Sequence, residues 1–162
     1  MKLDIVLKDL LNAVDVPAQW VGLREVYEAH TPRMIRDGVP VANGRSATHG
    51  VMVEVLANGQ FGYYGTPDMT PQGVARAAQK AYKQAQIASQ HSIYAFDETA
   101  RPSFQGHYQS PYTKDRDSLS AGKLNKLLLD AYNQLKVSDK IVSASSLCQV
   151  IETSFRFVSS NG

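Results

Sequence analysis

The stretch Gly50-Val-Met-Val-Glu-Val-Leu-Ala-Asn-Gly-Gln-Phe-Gly-Tyr-Tyr-Gly65 decides the fold. Val51, Val53 and Val55 alternate with Met52, Glu54 and Leu56, the period of a β-strand that turns one face to a core. Asn58-Gly59 follows, and Phe61, Tyr63 and Tyr64 resume the pattern. An Asn-Gly pair between two such runs favours a type I′ turn, because both central residues take positive φ there. The stretch predicts an antiparallel hairpin.

Downstream, Thr70-Pro71 predicts a helix start, with threonine as N-cap and proline at the first position, where its missing N–H has no partner to lose. Val74, Ala77, Ala78, Ala81, Ala85 and Ala88 form one face to about Gln90. Small side chains let that helix lie close to whatever it packs on, most simply the sheet of the preceding hairpins. Upstream, a run of β-formers extends from Trp20 to Thr31, and Pro32 is expected to interrupt it. Met34–Arg36 and Val39–Val41 flank Asp37-Gly38, a second tight-turn pair. Before these, Leu3, Val6, Leu7, Leu10, Leu11 and Val14 recur at helical spacing, predicting a short amphipathic helix that ends before Pro17.

Residues 91–118 show no sustained period and contain Pro102, Gly106 and Pro111. That is long for a structureless connection. Its aromatics Tyr94, Phe96, Phe104, Tyr108 and Tyr112 suggest a segment pinned to a surface. Leu124, Leu127, Leu128, Ala131 and Leu135 predict a further helix near 119–136, capped by Ser118 or Ser120. Ile141–Val158 reads as two strands. The expected class is α+β, a mostly antiparallel sheet of hairpins with about three helices packed on one face. Strands and helices are segregated in order, unlike a parallel βαβ sheet. One domain over residues 1–162 is expected, with 91–118 as its irregular connection.

The 162 residues are 43% hydrophobic and 20% charged, with a net charge of +2. The 17 basic residues are dispersed, so neither a nucleic-acid stripe nor an acidic tail is expected. Asp4, Lys8 and Asp9 break the opening apolar run, which rules out a signal core of about 7–15 residues, and nothing approaches the ~20 needed to span a membrane. Cys148 is the only cysteine. No internal disulfide is possible, and a reducing, cytoplasmic setting is expected.

Catalytic patterns are lacking. His30, His49, His91 and His107 show no i, i+4 pair and no His-Glu-x-x-His, so they read as surface or hydrogen-bonded side chains. Asn43-Gly44-Arg45 with His49-Gly50 resembles an anion loop, but no Gly-x-x-x-x-Gly-Lys-Ser/Thr follows, and a turn between strands is the simpler reading. Gly59, Gly62 and Gly65 lie in and after a hairpin and form no dinucleotide fingerprint. Cys148 stands among Leu147, Val150 and Ile151 as a small apolar residue, and Ser143, Ser145 and Ser146 make no nucleophile elbow. Without a basic stripe, the 94–112 aromatics make a weak base-stacking platform. No catalytic, cofactor-binding or metal-ligating residue is assigned.

The run from Asp37-Gly38 through Ser46, His49-Gly50-Val51-Met52-Val53-Glu54-Val55, Asn58-Gly59-Gln60-Phe61-Gly62-Tyr63 and Thr66, then the alanine helix over 70–88, resembles the amino-terminal region of the TldD/PmbA family, also known as modulators of DNA gyrase. The final Ser159-Ser160-Asn161-Gly162 is similar to that family's Asn-Ser-Glu-Gly turn, shifted and without the glutamate. The family's valine strand commonly reads Gly-Val-Gly-Val-Arg. Here Met52 and Glu54 replace the second glycine and the arginine, so no role of that arginine transfers.

The resemblance implies the first domain of a two-domain protein. TldD-like members carry His-Glu-x-x-x-His and a downstream cysteine in the second part, where a zinc-like metal cleaves unfolded peptides. PmbA-like members lack the motif and partner the active subunit. Any such site would lie beyond Gly162, so no cofactor is expected in this chain. The implied partners are a second copy or a family partner in a dimer, and an unfolded peptide substrate. Two rivals stand beside this reading: an independent protein-binding module without a peptidase connection, and a small enzyme using His30, His49 or His107.

Overall fold

The computed structural model describes residues 6–114 and 118–162. Its elements are α1 (Leu7–Asn12), β1 (Trp20–Arg36), β2 (Val39–Asn43), β3 (Ser46–Ala57), β4 (Gln60–Thr66), α2 (Pro71–Ser89), a 3-10 turn (Glu98–Ala100), α3 (Ala121–Leu135) and β5 (Ser145–Ser159). The sheet runs β2-β1-β3-β4, with β5 also paired to β1. The fold is α+β with a mostly antiparallel sheet, as the hairpin patterns predict. Leu3 of the expected first helix lies outside the described residues.

Both turn pairs form hairpins. In β3–β4, Ala57 faces Gln60 and the pairing continues to Val51 opposite Thr66. Asn58 and Gly59 take φ of 52° and 72°, the type I′ requirement. In β1–β2, Arg36 faces Val39, and Asp37 and Gly38 take φ of 49° and 80°. Two expectations change. β1 does not break at Pro32, because the ring's fixed φ suits extended backbone and the Pro32 carbonyl still accepts the Gly44 N–H at 3.4 Å. The expected strand pair over 141–158 is one strand, β5. No Gly, Pro, Asn or Asp interrupts residues 145–159, so nothing there builds a turn.

The chain divides into two compact units. The first comprises Met1–Tyr27, Thr48–Gly106 and Thr153–Gly162, and the second Glu28–Ala47 and His107–Glu152. In the first unit, Val21, Leu23, Val51, Val53 and Val55 form a dry core with Val74, Ala77, Ala78, Ala81 and Ala85 of α2 and Leu7 and Leu10 of α1. Each valine or leucine so buried contributes about 1.5–3 kcal/mol. Thr70 caps α2 as expected, its hydroxyl accepting the Gly73 N–H at 3.1 Å. The alanine face brings the helix backbone against β4. A Cβ on Gly62 would stand 1.9 Å from the Ala81 carbonyl oxygen, so only glycine fits.

The second unit has a smaller core of Ile35, Leu128 and Tyr132, with Ala144 and Cys148 packed against it. Ser120, not Ser118, caps α3 by accepting the Lys123 N–H at 3.3 Å. The Ser146 hydroxyl donates to the Leu128 carbonyl at 2.7 Å, so this buried polar atom is satisfied. The β1–β2 turn is tied down by Asp37, which accepts from the Ala144 N–H and the Ser143 hydroxyl, both at 3.0 Å. The Ala144 N–H first, then Ser143, holds the Asp37 carboxyl below the usual carboxylate range. No described helix is long and apolar enough to cross a membrane.

Candidate functional site

The chemistry-bearing side chains of the first unit gather on the two faces of its sheet. Strand alternation puts Val21, Leu23 and Glu25 of β1 on the helix face and Trp20, Gly22 and Arg24 on the other. On the helix face, Glu25 continues the buried row and is 2% exposed. One of its oxygens lies 3.0 Å from His49 Nε2, and the other accepts from Arg156 Nε at 2.6 Å. The Tyr27 ring meets His49 edge-on at 6.0 Å. A buried carboxylate survives there because two nitrogen groups meet it.

On the opposite face Glu54 is the buried carboxylate, 7% exposed. The Arg101 guanidinium reaches it from residues 94–103, with Nε 3.0 Å from Oε1 and Nη2 bonded to the same oxygen. That guanidinium also lies over the Phe61 ring, 4.5 Å from its centroid, and Nη2 is 3.4 Å from the Tyr63 hydroxyl. Burial first, then a hydrogen bond to Glu54, raises the Tyr63 phenol above its ordinary 10.0. Hydrogen bonding to Glu54 likewise raises Arg101, keeping it charged. The Phe96 N–H donates to the Gly59 carbonyl at 2.8 Å, and the Phe96 ring packs 5.5 Å from Phe61.

The C-terminal turn closes the same face. Trp20 Nε1 donates to Asn161 Oδ1 at 2.8 Å, and Asn161 Nδ2 donates to the Arg101 carbonyl at 2.8 Å. Trp20 is 1% exposed, edge-on to Phe61 and stacked on Phe157. Pinning of the described stretch over residues 91–114 is therefore partial. Phe96 and Arg101 are seated, Tyr94 lies edge-on to Phe96 yet is 66% exposed, and Phe104, Tyr108 and Tyr112 are 82%, 76% and 64% exposed. Prolines and short polar residues around those three give them no regular element to pack from.

The four histidines do not converge. His49 sits with Glu25. His30 Nε2 lies 2.6 Å from Glu28 and its Nδ1 3.2 Å from Gln149 Nε2, in the second unit. His91 follows α2 and is exposed, as is His107. Among the described residues, no three His, Cys, Asp or Glu side chains gather where they would hold a metal ion. Cys148 is half-buried and free. Gly44-Arg45 joins β2 to β3 as a turn, and Arg45 lies 3.6 Å from Glu152. A shallow groove between β4 and α2 carries Tyr64, Thr66, Arg76 and Lys80. Its cations are engaged, Arg76 with Asp68 at 2.6 Å and Lys80 with the Tyr64 hydroxyl at 2.9 Å.

Glu25, Arg156, Glu54 and Arg101 escape a search for chemical motifs. Their signal lies in the periodicity, since Glu25 holds a place where Val21 and Leu23 predict an apolar residue. Residues 22–85 match the model of the PmbA/TldA metallopeptidase domain 1. Residues 22–85 are thus similar to the first domain of that family. The matched residues take in most of β1, all of β2, β3 and β4, and most of α2.

Solved structures share the fold. Two are called "putative modulator of DNA gyrase". The one from Bacteroides thetaiotaomicron VPI-5482 has a TM-score of 0.64 at 15% identity, covering 96% of this chain and 35% of that one. The one from Thermotoga maritima MSB8 has a TM-score of 0.62 at 12% identity, covering 88% and 32%. TldE from Thermococcus kodakarensis has a TM-score of 0.60 at 14% identity, covering 96% and 34%. At such identities the likeness establishes a shared fold, and the chain spans about a third of each relative's length. No curated protein matches the chain.

Proposed function

We propose that these residues are the non-catalytic amino-terminal domain of a TldD/PmbA-like metallopeptidase-family protein, which helps form a dimer and encloses an extended peptide on its way to a metal held elsewhere. The observation that carries this reading is the match of residues 22–85 to the first domain of that family. The chemistry on the page is consistent with a supporting role. Glu25 and Glu54 are each tied to an arginine inside the fold, and His49 is tied to Glu25. A histidine and carboxylates engaged in this way hold a sheet together and leave no base poised beside a nucleophile.

The test compares the 162-residue chain with a longer product of the same gene, by metal analysis and by hydrolysis of an unfolded peptide. The expected result is no stoichiometric zinc and no hydrolysis in the chain alone. Stoichiometric zinc or turnover in the chain alone would overturn the proposal. Sedimentation at rising concentration tests the dimer part, with self-association or pairing with a second family member expected.

A further inference from the structure

On the face of the first unit opposite α2, two arginines lie over aromatic rings, and only one arrangement is complete. Arg101 lies over Phe61 and is bonded to the buried Glu54, beneath a covering segment that also seats Phe96. Arg24 lies 5.9 Å from the Phe155 ring centroid and 5.8 Å from that of Phe157. Among the described residues no carboxylate lies within ion-pair distance of it. Its platform is open, with Phe155 and Phe157 exposed by 61% and 43%, and Met52, which alternation puts on the same face of β3, is 42% exposed. Gly22 keeps the platform flat, since a Cβ there would crowd Trp20 and come 3.0 Å from Phe157.

We propose that this half of the face is a docking site for an extended peptide segment of a partner polypeptide, one that carries a carboxylate flanked by apolar side chains. The carboxylate pairs with Arg24, and the apolar neighbours cover Met52, Phe155 and Phe157. The argument is charge complementarity, read against the molecule's own covered half. There a guanidinium over a ring is completed by one carboxylate and one extended segment. A cation held on aromatic faces keeps its N–H groups free for an in-plane acceptor. Apolar sheet surface left open beside such a cation marks an interaction site. This inference does not depend on a peptidase site elsewhere, so its failure would leave the metal and hydrolysis tests unaffected.

The experiment uses the full 162-residue chain and a fluorophore-labelled peptide, Thr-Val-Thr-Leu-Glu-Leu-Thr-Val-Thr with blocked ends, beside versions with Gln or Lys in place of Glu. Fluorescence anisotropy is expected to rank binding Glu, then Gln, then Lys. Arg24→Glu should weaken the Glu peptide about tenfold and reverse the order, since it turns one attraction into a repulsion. Phe155→Ser should weaken all three alike, with circular dichroism confirming that both variants stay folded. Equal binding of the three peptides, an order unchanged by Arg24→Glu, or no binding at all would overturn the proposal. So would self-association that Phe155→Ser abolishes, because the face would then belong to a second copy.

Discussion

The two faces of the sheet in the first unit solve burial in opposite ways. On the helix face, Val51, Val53 and Val55 meet an alanine stripe, and Gly62 lets the α2 backbone come within touching distance of β4. On the other face, Trp20, Leu56 and Glu54 are buried by loop residues, the C-terminal turn and one arginine. The first face is regular and apolar beneath α2, with Glu25 held by His49 and Arg156 in the same buried row, and at Gly62 it has no tolerance for added atoms. The second is polar, aromatic and only half covered. Backbone proximity fixes the one, whereas side-chain reach assembles the other, and only the second has room for a partner.

Substitution at the closest contact breaks the helix face most severely. Gly62→Ala is expected to lower unfolding free energy by about 3 kcal/mol, because the backbone of α2 has to move, and denaturant titration will show it. A loss below about 0.5 kcal/mol would mean that the helix stands off the sheet more than its geometry indicates.

On the other face, Arg101→Ala strands the buried Glu54 carboxylate. Breaking a buried pair can cost about 3–5 kcal/mol, but the Arg101 side chain is 38% exposed, so solvent reduces the expected loss to about 1–2 kcal/mol. Adding Glu54→Gln to that variant should restore part of the loss. Arg24→Ala, with no carboxylate to strand, is expected to change stability by less than about 0.5 kcal/mol. Equal losses at Arg101 and Arg24 would erase the distinction between the covered and open halves.

A milder probe of the helix face is Thr70→Ala, which leaves the Gly73 N–H without its cap and should cost about 1 kcal/mol in thermal or chemical unfolding. The smallest effect is a pH dependence. Burial and Glu54 raise the Tyr63 phenol in the folded state, so the protonated form is the one that folding favours. Its contribution is fully present below the ordinary phenol value of 10.0 and is lost as pH rises through the higher folded value. Stability measured from pH 9 to 11 should fall less steeply in Tyr63→Phe than in the parent chain.

The hairpins and the helix starts were legible in the sequence because each depends on neighbours in the chain. Asn58-Gly59 and Asp37-Gly38 need only positive φ, and Thr70 caps a helix three residues away. Their reach is a single turn. The continuity of β1 through Pro32 and of β5 across residues 145–159 was less legible, because a strand's length depends on what pairs beside it. Buried polar groups were the hardest to foresee. Glu25 and Glu54 show only as charges at positions of the alternating pattern, and the arginines that neutralise them are 131 and 47 residues away.

The sequence by itself therefore determined a hairpin-built α+β chain, its alanine helix, its resemblance to a TldD/PmbA first domain and the absence of any complete catalytic motif in its 162 residues. The tertiary structure alone decided that Glu25 and Glu54 lie buried, that Arg101 satisfies one while Arg24 waits on an open aromatic platform, and that only part of the described stretch between residues 91 and 114 is seated. Local conformation is encoded over one turn of chain, so sequence spacing reports it. Ion pairing and burial depend on which distant strands meet, and only folding brings those residues within 3 Å of each other.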